Sequence, residues 1–342
     1  APAGYTAEWS NATVGSSAEF RINLVGGAGY TYTYAVTDTQ ATEVTGTGVM
    51  GGDIQAVTAD LSTLVDGTVT LAVYLTGAGG DGNVVTDTAN LVGYTGLLND
   101  YSGAAAAYSL RLLDNTYTGD AIVVRRASDN ATQAIGFVDN ELDTATLESF
   151  CSGTDGFVTT WYDQSGNGVD ATQGTAVGQP KIVSSGSTIL DNSKPVMISR
   201  NTSTKLRTSV VLSPAQDVTS FFTGTNAVSA RSIALTWATG KYLYAADNGS
   251  SSSPTNLGTI SNRLNGSAFA LTTRDAFYDA TTTQSLLSVV IDESANVDNL
   301  NTIGWSSTWD MWRTQELIIY NSDKSSDLTG IETNINDHYS IY

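Results

Sequence analysis

The densest concentration of side chains able to do chemistry is Trp161-Tyr162-Asp163-Gln164-Ser165-Gly166-Asn167-Gly168-Val169-Asp170, which gathers carboxylates, carboxamides and two aromatic rings around a Gly/Asn turn. Clustered oxygen donors suit calcium, so Asp163, Asn167 and Asp170 form a candidate calcium set, although the run lacks the regular alternation and closing Glu of an EF-hand loop. Asp and Asn side chains also bond their own backbone in tight turns, which makes a purely structural turn the competing reading. A second concentration is Trp305, Trp309 and Trp312, three of the six tryptophans. Exposed, these rings would stack on a sugar or a partner side chain, with Trp161 and Tyr162 as further binding candidates. Buried, they are core aromatics.

The rest of the inventory restricts catalysis. His338 is the only histidine and Cys151 the only cysteine, so a multi-histidine zinc site and an intrachain disulfide are excluded, and a Ser-His-Asp triad would have to use His338. Cys151 reads as a small buried residue and His338 as a surface or cap residue of a closing helix. The 34 Asp and Glu are ample material for a glycosidase's paired carboxyl groups. Against 15 Lys and Arg they give a net charge of −19, with only 14% of residues charged. A chain so acidic, with no basic stripe, repels phosphate backbones and anionic membrane surfaces, which excludes nucleic acid as a partner. No apolar run approaches the length of a membrane span. An extracellular or virion-surface location, sustained without disulfides, fits this composition.

These residues must be positioned by two folding units. Up to residue 95 the chain has one basic residue, Arg21, against nine acidic ones, and period-two runs at 19–24, 30–36 and 68–75 alternate with glycine-rich turns. Short strands at such spacing predict a β-sandwich over 1–95. From 96 to 342 the run Ala104–Leu113 predicts a short opening helix. Strands are predicted at 121–126, 157–162, 232–237, 286–291 and 316–320, and a closing helix after an N-cap serine at 325–326. The expected class is all-β, with two successive sandwiches.

Within the first unit, Asp66-Gly67-Thr68-Val69-Thr70-Leu71, the Gly/Asp turn and Thr86-Asp87-Thr88-Ala89-Asn90-Leu91 resemble a bacterial immunoglobulin-like repeat. That resemblance implies a spacer without catalysis. In the second, Tyr108-Ser109-Leu110-Arg111, Tyr117-Thr118-Gly119, Val124-Arg125-Arg126, Phe150-Cys151-Ser152-Gly153 and Trp161-Tyr162-Asp163-Gln164-Ser165-Gly166-Asn167-Gly168 follow in order. This block, about 104 to 175, resembles the start of the catalytic domain of fungal-type α-L-arabinofuranosidases, which implies a concanavalin A-like jelly-roll sandwich. The tail, Glu316–Asn321 and Ile331–Asn336, is similar to the last strand and closing helix of laminin-G-like or concanavalin-like domains of phage and bacterial surface proteins.

The resemblance also implies a nucleophilic Glu in an Asp-Leu-Glu-Asn-Gly-like stretch, an acid/base Asp in a Gly-Gly-Asp-Asn loop before the last strand, and an adjacent cysteine pair. The nearest counterparts here are Asn262-Arg263-Leu264-Asn265-Gly266, without a carboxylate, and Ile303-Gly304-Trp305 onward, where Asp310 is the first acidic residue. Cys151 stands alone. Without the expected pair, the chain is expected to be a non-enzymatic, surface-exposed structural or adhesive protein: a virion fibre, decoration protein or bacterial surface filament component. It would be homo-oligomeric and use multivalent contacts to a cell-surface glycan or to other subunits, with no cofactor beyond the calcium candidate. Two alternatives stand beside this reading. One is an α-L-arabinofuranosidase-like glycoside hydrolase, with a displaced pair such as Asp275 and Asp310; the other is a purely architectural subunit.

Overall fold

The structure is a computed structural model. It describes residues 4–65, 67–78, 80–199, 204–212, 216–226, 232–237, 242–255, 260–270, 272–291, 300–306 and 312–342. The chain forms two compact units, Ala1–Thr95 and Gly96–Tyr342.

In the first unit a three-stranded antiparallel sheet orders Thr6–Trp9, Ser17–Asn23 and Ile54–Asp60. A five-stranded sheet orders Thr13–Val14, Val85–Leu91, Gly67–Thr76, Thr31–Thr37 and Glu43–Val49. Period-two alternation supplies the common core, because successive side chains of a strand point to opposite faces. Phe20 and Ile22 from the smaller sheet pack with Val69, Leu71, Val73 and Leu75 from the larger.

The second unit is also a β-sandwich. One layer places Ala104–Ser109, Trp312–Tyr320, Val218–Asn226, Ser285–Ile291 and Ile260–Leu264 side by side. The other runs Ile122–Arg126, Gly156–Trp161, Ala171–Thr172, Leu206–Val210, Leu300–Ser306, Ser232–Trp237 and Tyr242–Ala246. Strand Val218–Asn226 shows how the layers are filled. Phe222 enters the inner core with Val124, Val158, Trp312 and Leu317, while its neighbour Phe221 faces the opposite way. There it meets Leu286, Ile318 and Tyr320, together with Ile331, Ile335 and Tyr339 of the closing helix Leu328–Tyr339. Those three helical residues recur every four positions, so one face of the helix is buried.

Two expectations are corrected. Ala104–Leu113 opens as a strand, Ala104–Ser109, and the helix that starts the unit is the short Leu97–Asp100. Alanine's helix preference is worth only tenths of a kcal/mol per residue, and sheet pairing with the Trp312–Tyr320 strand under a helical cover overrides it. The closing helix forms where its periodicity predicts, but its N-cap is Asp327, with no side-chain cap, and Ser325 bonds Asp323 instead.

Candidate functional site

The Trp161–Asp170 run proves to be a clasp. Asp163 is buried and its carboxylate accepts hydrogen bonds from the backbone N–H groups of Ala107 (2.8 Å), Ser165 (2.9 Å) and Val169 (3.2 Å) and from the Ser165 hydroxyl (2.8 Å). Gln164 donates to the carbonyls of Ser109 and Arg111 and accepts from the Leu113 N–H. Asn167 donates to the carbonyls of Ala104 and Ala105, and Asp170 accepts the Asp163 N–H at 3.0 Å. The oxygens expected to hold calcium face N–H donors, and among the described residues no group of three or more His, Cys, Asp or Glu could hold a metal ion. The run sews Ala104–Ser109 to the loop after Gly156–Trp161, and its chemistry is that of a turn.

Two members of the aromatic platform, Trp161 and Trp312, are corrected in the same way. Trp161 is fully buried, its indole N–H on the Ser109 carbonyl at 3.1 Å and its ring 5.6 Å from that of Tyr108. Trp312 is fully buried between Phe222 and Phe277. Trp305 lies in strand Leu300–Ser306, opposite Ile233, and Trp309 lies outside the described residues. Tyr162 is half-buried; burial, then the charges of Asp120 and Asp170, raise its phenol pKa. An amphipathic ring in an inward period-two position is drawn into the core, which is why spacing could not distinguish platform from packing.

A polar cavity of about 600 Å³ opens elsewhere, lined by Asp191, Asn192, Thr225, Thr282, Thr283, Gln284, Arg313, Ser340 and Ile341. Its construction follows from local sequence. Leu190–Asp191 and Lys194–Pro195 form a two-residue hairpin whose central residues, Asn192 and Ser193, have φ of 47° and 63°. Both are left-handed, as a type I′ turn requires, and Asn tolerates that conformation. The Asn192 amide donates to the carbonyls of Tyr339 and Ser340, tying the hairpin to the end of the closing helix. Ser340 is itself left-handed, at φ 52°.

The opposite wall is made by a bulge. Register between Val218–Asn226 and Trp312–Tyr320 shifts at Thr223/Gly224, and a Cβ on Gly224 would lie 2.4 Å from the Arg313 carbonyl oxygen. Only glycine permits this approach. Beyond the bulge Thr225 pairs with Arg313, and both line the cavity. The Thr225 hydroxyl holds one carboxylate oxygen of Asp191. Gln315 spans the carbonyls of Asp191, Lys194 and Pro195 at 3.3–3.4 Å and receives the amide of Gln284, whose own Oε1 is buried without a partner. Carboxylate, amides, hydroxyls and a guanidinium converging on one cavity suit a polyhydroxylated ligand. Sequence reasoning missed this site; the Asp191-Asn192-Ser193 turn signature was its one local trace.

Other prominent carboxylates are structural. Glu316 and Glu332 are buried and paired with Arg111 and Arg263 at 2.8 Å each. Leu264, in the stretch matched to the family nucleophile, packs against the inner core, while Arg263 beside it bonds Glu332. Asp275 starts the helix Arg274–Ala280 and accepts the Gly249 N–H, and Asp310 lies outside the described residues. Cys151 is buried, and burial raises its thiol pKa. His338, read as a surface or cap residue, is instead largely buried in the closing helix, and burial pushes its imidazole down to about 2.

Comparison with known proteins places the second unit. The family model for the catalytic domain of α-L-arabinofuranosidase B matches residues 100–214. An α-L-arabinofuranosidase of Hypocrea jecorina is 41% identical over 70 residues, which are 20% of this chain and 14% of that protein. Among solved structures, an arabinofuranosidase complexed with arabinofuranosyl-α-1,2-xylobiose is similar at 15% identity and a TM-score of 0.43, over 68% of this chain and 62% of the other. A mutant α-L-arabinofuranosidase soaked with 4-nitrophenyl α-L-arabinofuranoside is similar at 15% identity and a TM-score of 0.44, with the same coverage. The second unit is thus arabinofuranosidase-like in the matched segment, which contains the clasp and the Asp191–Asn192 wall of the cavity.

The expectation of a non-enzymatic fibre, decoration or filament protein is corrected by this result. The family model matched describes a catalytic domain, and the relative matched over 70 residues is named an α-L-arabinofuranosidase, not a structural protein. The two stretches that lack carboxylates, at 262–266 and from 303 onward, lie outside the matched residues 100–214 and so do not count against the match.

Proposed function

We propose that the second unit is an α-L-arabinofuranosidase-like glycoside hydrolase whose sugar site is the polar cavity. The observation that carries the reading is the match of residues 100–214 to the arabinofuranosidase catalytic family, in a segment that supplies Asp191 and Asn192 to that cavity. Glycoside cleavage requires a carboxyl group to protonate the leaving oxygen and a second to act as nucleophile or base. Asp191 supplies one. Thr225 fixes its Oδ2 and leaves Oδ1 without a partner among the described residues. For the second the sequence offers Asp310, three positions before Arg313 and outside the described residues. Leu264 has no chemistry to offer, so the nucleophile implied by family resemblance is not used at that position. The first unit, a two-sheet sandwich, fits an immunoglobulin-like spacer, and the acidic, disulfide-free composition fits an extracellular enzyme.

Release of 4-nitrophenol from 4-nitrophenyl α-L-arabinofuranoside tests the reading directly. The native chain is expected to turn over the substrate, with Asp191→Asn and Asp310→Asn each lowering kcat about 100-fold or more. A folded chain inert toward aryl furanosides would remove the proposal. Turnover untouched by Asp191→Asn would remove the cavity from it.

A further inference from the structure

Among the described residues Arg313 is the only cation of the cavity lining, and it is placed with some rigidity. Its strand is paired on both sides, with Ile198 and with Thr225 opposite Arg313 itself. Trp312, one position before, is locked in the inner core, so strand alternation sends Arg313 to the cavity side. Five other partly or fully covered arginines are spoken for. Arg111 and Arg263 grip buried glutamates, and Arg126 pairs with Asp129. Arg125 bonds Gln179 and Asn130, and Arg274 bonds the Ser253 carbonyl and the Tyr242 hydroxyl. The half-buried guanidinium of Arg313 has no hydrogen-bond acceptor or ion-pair partner among the described residues. Asp191 shares the cavity but is held by Thr225 and does not pair with it.

We infer that Arg313 is a specificity residue for a carboxylate carried by the sugar ligand, so that the cavity favours glycans containing a hexuronate. The inference takes its location from the proposed sugar site but does not depend on hydrolysis. A planar guanidinium matches a carboxylate with two parallel hydrogen bonds, and an unpaired one within a cavity wall is preorganised to do so. The surroundings choose a sugar acid over a free inorganic anion. Thr225, Thr282, Thr283, Asn192 and Gln284 offer hydroxyls and amides to ring hydroxyls, and one cation beside Asp191 in a chain of net charge −19 suits a single carboxylate, not a polyanion.

Isothermal titration calorimetry with methyl α-galacturonoside, its carboxyl-reduced neutral counterpart methyl α-galactoside and inorganic phosphate tests the inference on the full chain. The acidic glycoside is expected to bind about tenfold or more tightly than the neutral one, with the preference shrinking as salt rises. Arg313→Gln should abolish the preference, so that the acidic and neutral ligands bind alike, and Arg313→Lys should keep part of it. Equal affinity for the acidic and neutral ligands would overturn the inference, as would a preference that survives Arg313→Gln or phosphate binding as tight as uronate. The comparison on the native chain stands even if a variant fails to fold. Uronate binding without furanoside turnover would leave this inference standing and remove the hydrolase reading; turnover without uronate preference would do the reverse.

Discussion

The guanidinium of Arg111 forks onto the carboxylate of Glu316, with Nε 2.8 Å from Oε2 and Nη2 3.1 Å from Oε1, in a buried site beneath the closing helix. The Ser109 hydroxyl is a third donor to the carboxylate, to Oε2 at 2.7 Å, and Arg111 reaches Asn334 of the helix at 2.9 Å. A strand pair from the two ends of the second unit, Ala104–Ser109 and Trp312–Tyr320, is thereby tied to the helix that covers it. Glu316→Ala would strand the arginine's charge in a low-dielectric site. It is expected to lower unfolding free energy by about 3–5 kcal/mol, with Arg111→Met/Glu316→Leu together costing much less. Urea denaturation of the three variants measures both values.

His338 gives the stability a definite pH slope. Burial, then the charges of Arg111 and Lys194, depress its folded pKa to about 2, against about 6.5 when unfolded. Glu141, 3.5 Å away, pulls in the other direction, but it is itself exposed and engaged by Lys194 at 2.7 Å, so burial dominates. The unfolded chain accepts a proton that the folded chain refuses. The contribution is therefore complete above about pH 6.5 and is lost as pH falls toward 2, by up to about 1.4 kcal/mol per pH unit. Replacing His338 with Gln should flatten the stability profile across this window, as followed by thermal melts at a series of pH values. An unchanged slope would show that the imidazole is solvated.

Gly224 holds the cavity's shape through backbone contact. A methyl group there would meet the Arg313 carbonyl oxygen at 2.4 Å, and main chain cannot yield as a flexible side chain would. Gly224→Ala is expected to cost about 1–3 kcal/mol and to reduce furanoside turnover, because the bulge also sets Thr225 against Asp191. Thermal melts and turnover read side by side check the pair of effects. A variant with intact activity and melting temperature would show that the bulge relaxes freely.

Asp163 separates the turn from the calcium reading. Asp163→Ala would leave the N–H groups of Ala107, Ser165 and Val169 without their acceptor and is expected to destabilise the second unit by about 3 kcal/mol or more. A chelator should leave the melting temperature of the native chain unchanged, whereas a chelator-dependent drop restored by calcium would reinstate Asp163, Asn167 and Asp170 as ligands.

Much of the architecture was legible in the order of residues. Period-two alternation located the strands at 17–23, 31–37 and 67–76, because a half-buried strand must alternate, while strand-like apolar runs located 285–291 and 312–320, which are buried on both faces. The four-residue recurrence of Ile331, Ile335 and Tyr339 likewise located the closing helix. The Tyr-Asp-Gln-Ser-Gly-Asn run lies in the segment that matches the arabinofuranosidase catalytic model, though its residues are a clasp. Ala104–Ser109 failed as a helix because propensity is a local quantity of tenths of a kcal/mol, whereas pairing with a strand more than 200 positions later is not local at all.

By itself the sequence determined composition and its consequences: an acidic all-β chain, one buried cysteine, no multi-histidine centre, and turns wherever Asn, Asp and Gly cluster. Only the tertiary structure decided which polar groups are spent and which are available. Glu316, Glu332 and Asp163 satisfy partners that burial would otherwise leave unpaired, and Trp161 and Trp312 fill the core. Asp191, Thr225, Gln284 and Arg313 come together from positions spread over more than 120 residues, because a hairpin, a bulge and a helix end meet at one place. Type and spacing describe what a side chain can do. Burial and satisfied hydrogen bonds, set by contacts distant in the chain, decide whether it remains free to do it.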